Sequence, residues 1–156
     1  MVTVKLKPTE SARMFKNNQS GTVTFSLEDL HKIYIFEKAY NEFIQWTKRE
    51  HIVYGQGRTP EYNKSVKGNA KSNHLKCLAR DTYFKNVDFD TERVKKYMRK
   101  WRDIAKANGF VGECGFYPSY RIDGCKGMLH IGMNTYSKTF TNWMTDSVQH
   151  TNYYKL

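Results

Sequence analysis

An α+β domain is what the sequence predicts, from three observations. Two long stretches carry apolar residues at helical spacing. Short apolar or alternating runs, bounded by Gly, Asn and Asp, read as a few strands, with the helices packed on one side of them. The 156 residues are the length of one domain with one modest core, and no repeat, low-complexity tract or linker divides them, so residues 1–156 are taken as a single domain.

In chain order, Val2, Val4 and Leu6 alternate with polar residues as on a short strand, and residues 16–22 read as a loop. Ser26 offers a cap hydroxyl before Glu28 and Asp29, the acids of a first helical turn. Leu27, Leu30, Ile33, Tyr34, Tyr40, Phe43 and Ile44 then follow at roughly helical spacing, a stripe read as buried core rather than a binding groove, which carries a helix, with room for a break, to about Arg49. His51–Tyr54 is a strand candidate that Gly55-Gln56-Gly57 interrupts, and Pro60 suits the first position of a short helical turn. Residues 64–73 are polar and read as an exposed loop. Leu78 to Phe84 is a strand. Asp90 caps a helix over Thr91–Ala107 that buries Val94, Tyr97, Met98, Trp101, Ile104 and Ala105, and Asn108-Gly109 ends it. Phe110–Tyr117 and Met128–Met133 are two strands, with Asp123-Gly124 a hairpin signal between them. Phe140, Trp143 and Met144 suggest a closing helical turn.

The composition narrows the partners. The chain has 26 Lys+Arg against 15 Asp+Glu, a formal charge of +11, which favours a polyanion such as nucleic acid, an anionic membrane or an anionic cell wall without choosing among them. No apolar run approaches the roughly 18 residues a membrane span needs, and the first residues lack the apolar stretch of a secretory signal. Cys77, Cys114 and Cys125 are an odd number without the spacing of a disulfide framework, so reduced thiols made in a cytoplasm are expected.

The stretch from Ser72 to Asp81 carries the most chemical information. His74 stands seven residues before Asp81, a carboxylate set inside an apolar strand between Ala79 and Tyr83. A half-buried Asp needs a compensating partner, which a metal, an Arg or backbone N–H groups would supply. His130 sits mid-strand, where a lone histidine is usually a satisfied core residue. Together with His74 and Asp81 it would make two imidazoles and a carboxylate, the donor set of a catalytic zinc with one open position. A rival set, His74 and Cys77 with Cys114 and Cys125, would be a closed structural zinc, but it lacks paired Cys-x-x-Cys knuckles.

Gly57-Arg58-Thr59-Pro60-Glu61-Tyr62-Asn63, the loop to Ser72, His74 and Asp81 together resemble the zinc D-alanyl-D-alanine carboxypeptidase family. Its relatives include phage endolysin L-alanyl-D-glutamate peptidases and the vancomycin-resistance D-Ala-D-Ala dipeptidases. The family pattern is an S-G-x-R-T/S-P-x-x-N stretch, then S-x-H-x-x-G-x-A-x-D, then a late strand histidine. Gly115-Phe116-Tyr117-Pro118, His130 and Trp143 are similar to the G-x-Y-P…H-x-D…W ending of one branch. The resemblance covers about residues 50–145 and implies a hedgehog/DD-peptidase-like fold, a small antiparallel sheet carrying the metal ligands against two long helices. It implies one zinc per chain on His74, Asp81 and His130. It also implies that Arg58 stabilises the oxyanion of a tetrahedral intermediate and that Ser72 hydrogen-bonds near metal or substrate. The alternative for Arg58 is a surface ion pair, and for Ser72 a loop cap.

Three features depart from that pattern. Cys77 stands at a family glycine, and Arg80 at a small apolar position. The family also places an acid three residues before the last histidine or two after it, and those positions are Gly127 and Gly132 here. The proton acceptor must then be another residue. Asp123 belongs to the expected hairpin turn. If Asp123-Gly124 form a two-residue turn, His130 faces Tyr117 and Gly132 faces Gly115. Alternation then places Glu113 on the face of His130, close enough to serve as base; otherwise it is a solvated acid at a strand end.

The expected function is therefore a zinc-dependent peptidase cutting peptidoglycan stem peptides. It would be a monomer made in a host cytoplasm without a signal peptide, and a phage lysis or virion-associated enzyme meeting an anionic cell-wall polymer. One alternative is an inactive wall-binding or structural module on the same fold. Another is a basic nucleic-acid binder using Arg93, Lys95, Lys96, Arg99, Lys100 and Arg102, although such a run is more often a solvated helix face.

Overall fold

The computed structural model describes residues 1–6, 21–122, 124–147, 150–152 and 155–156, and among these described residues eight strands, three helices and one 3₁₀ turn succeed one another. β1 (Val2–Leu6) and β2 (Gly21–Phe25) pair antiparallel as a separate two-stranded sheet. Gly21 and Thr22, assigned above to a loop from their composition, open β2, because they complete the pairing with Leu6 and Lys5. Residues 16–20 of that loop lie outside the described residues.

Ser26 begins α1 (Leu27–Thr47) with a capping box. Its Oγ accepts the Asp29 N–H at 3.1 Å, and Asp29 Oδ2 accepts the Ser26 N–H at 3.1 Å. The helix runs unbroken and buries Phe36, Ala39, Tyr40, Phe43 and Thr47. Leu27 and Tyr34, assigned above to the buried stripe, are exposed, because at about 100° per residue they fall on the opposite side of the helix from that arc. Thr59 caps α2 (Pro60–Ser65), with Pro60 in its first turn. Asp90 caps α3 (Thr91–Ala107) through Oδ1, which accepts the Arg93 N–H at 2.8 Å, and all six residues expected on its inner face are buried.

β3 (His51–Gly55), β4 (Ala79–Phe84), β5 (Gly112–Ile122), β6 (Cys125–Met133), β7 (Thr141–Ser147) and β8 (His150–Asn152) form a six-stranded sheet in the order β3-β4-β6-β5-β7-β8. The sheet is mixed rather than antiparallel, because β7 runs parallel to β5. β7 also replaces the helical turn expected around Trp143. Here Trp143 lines a cleft while Met144 packs on the core, a two-residue alternation that only a strand delivers.

α1 and α3 cover one face of the sheet. Phe36, Phe43, Met98 and Trp101, all fully buried, pack there with Leu129 and Ile131 of β6 and with Cys114 and Phe116 of β5. Polar bonds tie the helices down. Tyr40 Oη and Thr82 Oγ1 lie 2.9 Å apart, and Trp101 Nε1–H donates to the Gly132 carbonyl at 3.1 Å. Arg80, the departure from a small apolar residue, finds local partners on this face: it pairs with Glu37 of α1 and lies over the Phe36 ring at 5.3 Å. Burial lowers its pKa to about 10.

The β5–β6 hairpin differs from the simple register. Ile122 pairs Cys125 and Arg121 pairs Lys126, as a two-residue turn requires, but a bulge between Tyr117 and Arg121 shifts the rest. His130 consequently faces Gly115 rather than Tyr117, and Gly132 faces Glu113 rather than Gly115. The shift is by two residues, so the sheet face that each side chain occupies is unchanged. Asp123 itself lies outside the described residues. No helix of the described residues is long and apolar enough to cross a membrane.

Candidate metal centre

The face of the sheet away from α1 and α3 carries the polar constellation. One line of paired residues crosses five strands there: Gly55 opposite Asp81, Asp81 opposite His130, His130 opposite Gly115, and Gly115 opposite Trp143. Direct pairing brings Asp81 and His130 together with no contribution from loops. His74 arrives from a 3₁₀ turn (Asn73–Lys76) whose end folds onto the start of β4, where the Leu78 N–H donates to Asn73 O at 2.9 Å. Of the residues 64–73 expected to be an exposed loop, Lys64 and Ser65 finish α2 and Asn73 is buried, because the turn must lodge against the sheet to deliver His74.

His74 Nε2, Asp81 Oδ1 and His130 Nδ1 form a nearly equilateral triangle. His74 Nε2 lies 3.2 Å from Asp81 Oδ1 and 3.2 Å from His130 Nδ1, and His130 Nδ1 lies 3.1 Å from Asp81 Oδ1. A tetrahedral divalent cation with bonds of about 2.0–2.1 Å needs donor–donor edges of about 3.3 Å, so the triangle fits such an ion with its fourth direction left to the cleft.

Each of the three side chains is held from behind. His74 Nδ1 lies 2.6 Å from the Gln56 carbonyl oxygen, which can only accept, so that nitrogen carries the proton. His130 Nε2 lies 2.9 Å from Glu113 Oε1, and Asp81 Oδ2 accepts from Arg58 Nη2 at 3.1 Å. Such outer partners fix the orientation and tautomer of metal ligands. With those protons placed, two neutral imidazoles and a carboxylate aim three lone pairs at one point with no donor among them. That arrangement is repulsive unless a proton or a cation sits between them.

The ionisation pattern reflects that demand. Burial alone would raise the pKa of Asp81, but the two imidazoles beside it hold it well below the usual carboxylate value. Burial lowers that of His74. Burial also opposes charge on His130, but its hydrogen bonds to Asp81 and Glu113 prevail and raise its pKa to about 9. Glu113 is lowered, burial being outweighed by its bonds to His130 and Asn73. The donors are thus a set that could hold a metal ion, and without one a proton on His130 takes its place.

Around this triangle opens a cleft of about 860 Å³. Its lining includes the basic and polar Arg58, Lys71 and Ser72 and the aromatic Tyr117, Tyr136 and Trp143. Arg58 reaches the centre as expected, engaged with Asp81. Ser72 caps the 3₁₀ turn, its Oγ accepting the His74 N–H at 3.3 Å. Glu113 is not a solvated strand-end acid: its side chain is 13% exposed and is the only carboxylate besides Asp81 that lines the cleft among the described residues. Of the two glycines at the family's acid positions, Gly127 lies against Phe116 and Phe89, away from the triangle, whereas Gly132 lies under the Glu113 carboxylate. Trp143 lies over Gly115, where a Cβ would meet the indole at 2.3 Å, and its ring stands 5.3 Å from that of His130.

The cysteines do not form the rival site. Cys114 lies in the core with Ile131, and among the described residues His74, Asp81 and His130 are the only cluster able to hold a metal. Cys77 adopts the left-handed conformation with φ 57°, which explains why a glycine suits that position. Two contributors escaped sequence reasoning. The Gln56 carbonyl is main chain and leaves no residue-type signal. Asn73, which helps to lower the Glu113 pKa, accepts from Thr135 Oγ1 at 2.8 Å across a long sequence separation, and only its place beside His74 hinted at a role. Compared with known protein families, characterised proteins and solved structures, the chain matches none.

Proposed function

We propose that the chain is a zinc-dependent peptidase that cleaves peptidoglycan stem peptides, acting in phage lysis or as part of a virion. The observation that carries the reaction type is the triangle of three lone pairs, each ligand backed by its own partner and open on one side to a cleft. The substrate class rests on the resemblance of residues 50–145 to the D-alanyl-D-alanine carboxypeptidases. A zinc held by His74, Asp81 and His130 would polarise the scissile carbonyl and acidify water at the open position. Arg58, already aimed at the centre and with its Nε buried without an acceptor, supplies positive charge for the oxyanion. Glu113 is the carboxylate left to accept a proton. The basic and aromatic residues lining the cleft suit an extended peptide bearing carboxylates.

A second reading has its own support. The Glu113 carboxylate is engaged by His130 rather than free, as suits a module that binds wall peptide without cutting it. The test is zinc-loaded protein on purified cell walls, following turbidity and newly released amino groups, with co-sedimentation in parallel. The peptidase reading expects clearing that His74→Ala and Asp81→Ala abolish. Co-sedimentation with intact walls would replace it with the binding module, and a chain that neither takes up zinc nor co-sediments would end both.

A further inference from the structure

Gly132 sits at a crowded point. A Cβ added there would lie 2.8 Å from Glu113 Oε1 and 2.9 Å from its Cγ. The backbone cannot retreat, because Trp101 holds the Gly132 carbonyl from the opposite face at 3.1 Å and Ala79 and Glu113 pair with it on either side. The space above Gly132 is filled by the Glu113 carboxylate, which crosses from β5 to reach His130 Nε2 at 2.9 Å. Asn73 lines the cleft with the same carboxylate and favours its charged form. Its own Oδ1 accepts from Thr135 Oγ1 at 2.8 Å, and Thr135 Oγ1 accepts from Lys76 Nζ at 3.2 Å. The pocket for the carboxylate is thus assembled from β6, the 3₁₀ turn and the segment after β6.

We propose that Gly132, Glu113 and Asn73 act together as a positioning device, in which the bare glycine lets the cross-strand carboxylate lock His130 with Nδ1 turned toward the metal. Glu113 must carry this duty whether or not it also accepts a proton, and Gly132 serves it without touching metal or substrate, while Asn73 lines the cleft beside it. The inference rests on His74, Asp81 and His130 being the ligands.

A double-mutant cycle read by zinc affinity tests it, using competition with a chromophoric chelator. Glu113→Ala is expected to weaken zinc about 10–100-fold, the usual cost of losing a ligand's outer partner. Gly132→Ala is expected to weaken it comparably, since its methyl displaces the carboxylate. Combining the two should add almost nothing, because the carboxylate that the new methyl would strike is already gone. Glu113→Gln keeps an oxygen that accepts the His130 Nε2–H, so it should retain zinc within about threefold. Asn73→Ala should fall between. Circular dichroism of each metal-free variant separates misfolding from loss of the device. Additive losses from Glu113→Ala and Gly132→Ala would overturn the proposal, as would Glu113→Gln losing as much zinc as Glu113→Ala. If the unaltered chain binds no zinc, the ligand assignment fails first and takes this inference with it.

Discussion

At the scale of single residues, the chemistry turns on where protons sit. Gln56 O and Glu113 Oε1 place them on the outer nitrogens of His74 and His130, which leaves the inner atoms as acceptors around Asp81 Oδ1. This has a pH signature. In metal-free protein the His130 pKa is raised from 6.5 to about 9, so the folded chain holds a proton that the unfolded chain releases earlier. The stability this proton contributes is complete below about pH 6.5 and is lost as pH rises through about 9. Metal must displace the same proton, so its apparent affinity should rise across that window, by up to about tenfold per pH unit. Urea unfolding of chelator-treated protein and zinc competition at several pH values should therefore move in opposite directions. Ser72 makes a simpler prediction. As a cap of the 3₁₀ turn, Ser72→Ala should cost about 0.5–1 kcal/mol in urea unfolding.

At the scale of elements, the ends of helices and the close approaches between strands decide what each segment tolerates. Lys48 ends α1 in the left-handed conformation at φ 51° and is exposed, a position that suits glycine. Lys48→Gly should stabilise the chain by about 0.5–1 kcal/mol, measured by thermal unfolding. β5 and β7 can pair closely beneath Trp143 because Gly115 has no side chain. Gly115→Ala should drive the indole from its place beside His130 and cost about 1–3 kcal/mol, with a shift in tryptophan fluorescence as a second readout. The β5 bulge belongs to this scale too. It moves Glu113 along the strand by an even count, so the acid stays on the metal face but comes to stand over Gly132.

At the scale of the whole molecule, a cation would add a cross-link among β4, β6 and the 3₁₀ turn, segments already joined by backbone hydrogen bonds. Any ion that binds only the folded chain stabilises it by mass action, about 4 kcal/mol at a thousandfold excess over Kd. For a chain of 156 residues this is a rise in Tm of roughly 10 °C, reversed by chelator and absent in His74→Ala. The helices lie behind the sheet and the cleft in front, so the basic outer face of α3 and the candidate site are on opposite sides of the molecule. Charge on α3 can therefore be altered without touching the metal ligands.

Much of this architecture was legible in the residues themselves. The caps at Ser26 and Asp90, Pro60 at a first helical position and the apolar stripe of α3 are local signals, because a helix records its own start and its buried side within a few turns. His74, Asp81 and His130 were legible as a donor set because each is a costly residue for an apolar strand or its border. β7 was not, since Thr141–Ser147 becomes a strand through its pairing with β5, far away in sequence. The α1 stripe was misjudged at Leu27 and Tyr34 for a different reason: helical spacing itself sets them opposite Phe36, Tyr40 and Phe43. By itself, then, the sequence determined where the helices begin, which residues are chemically expensive and that they could converge. Tertiary structure alone decided the register that set Glu113 over Gly132, the carbonyl behind His74 and the carboxylate behind His130. Those depend on strand pairing and side-chain packing between distant segments, which local residue patterns do not encode.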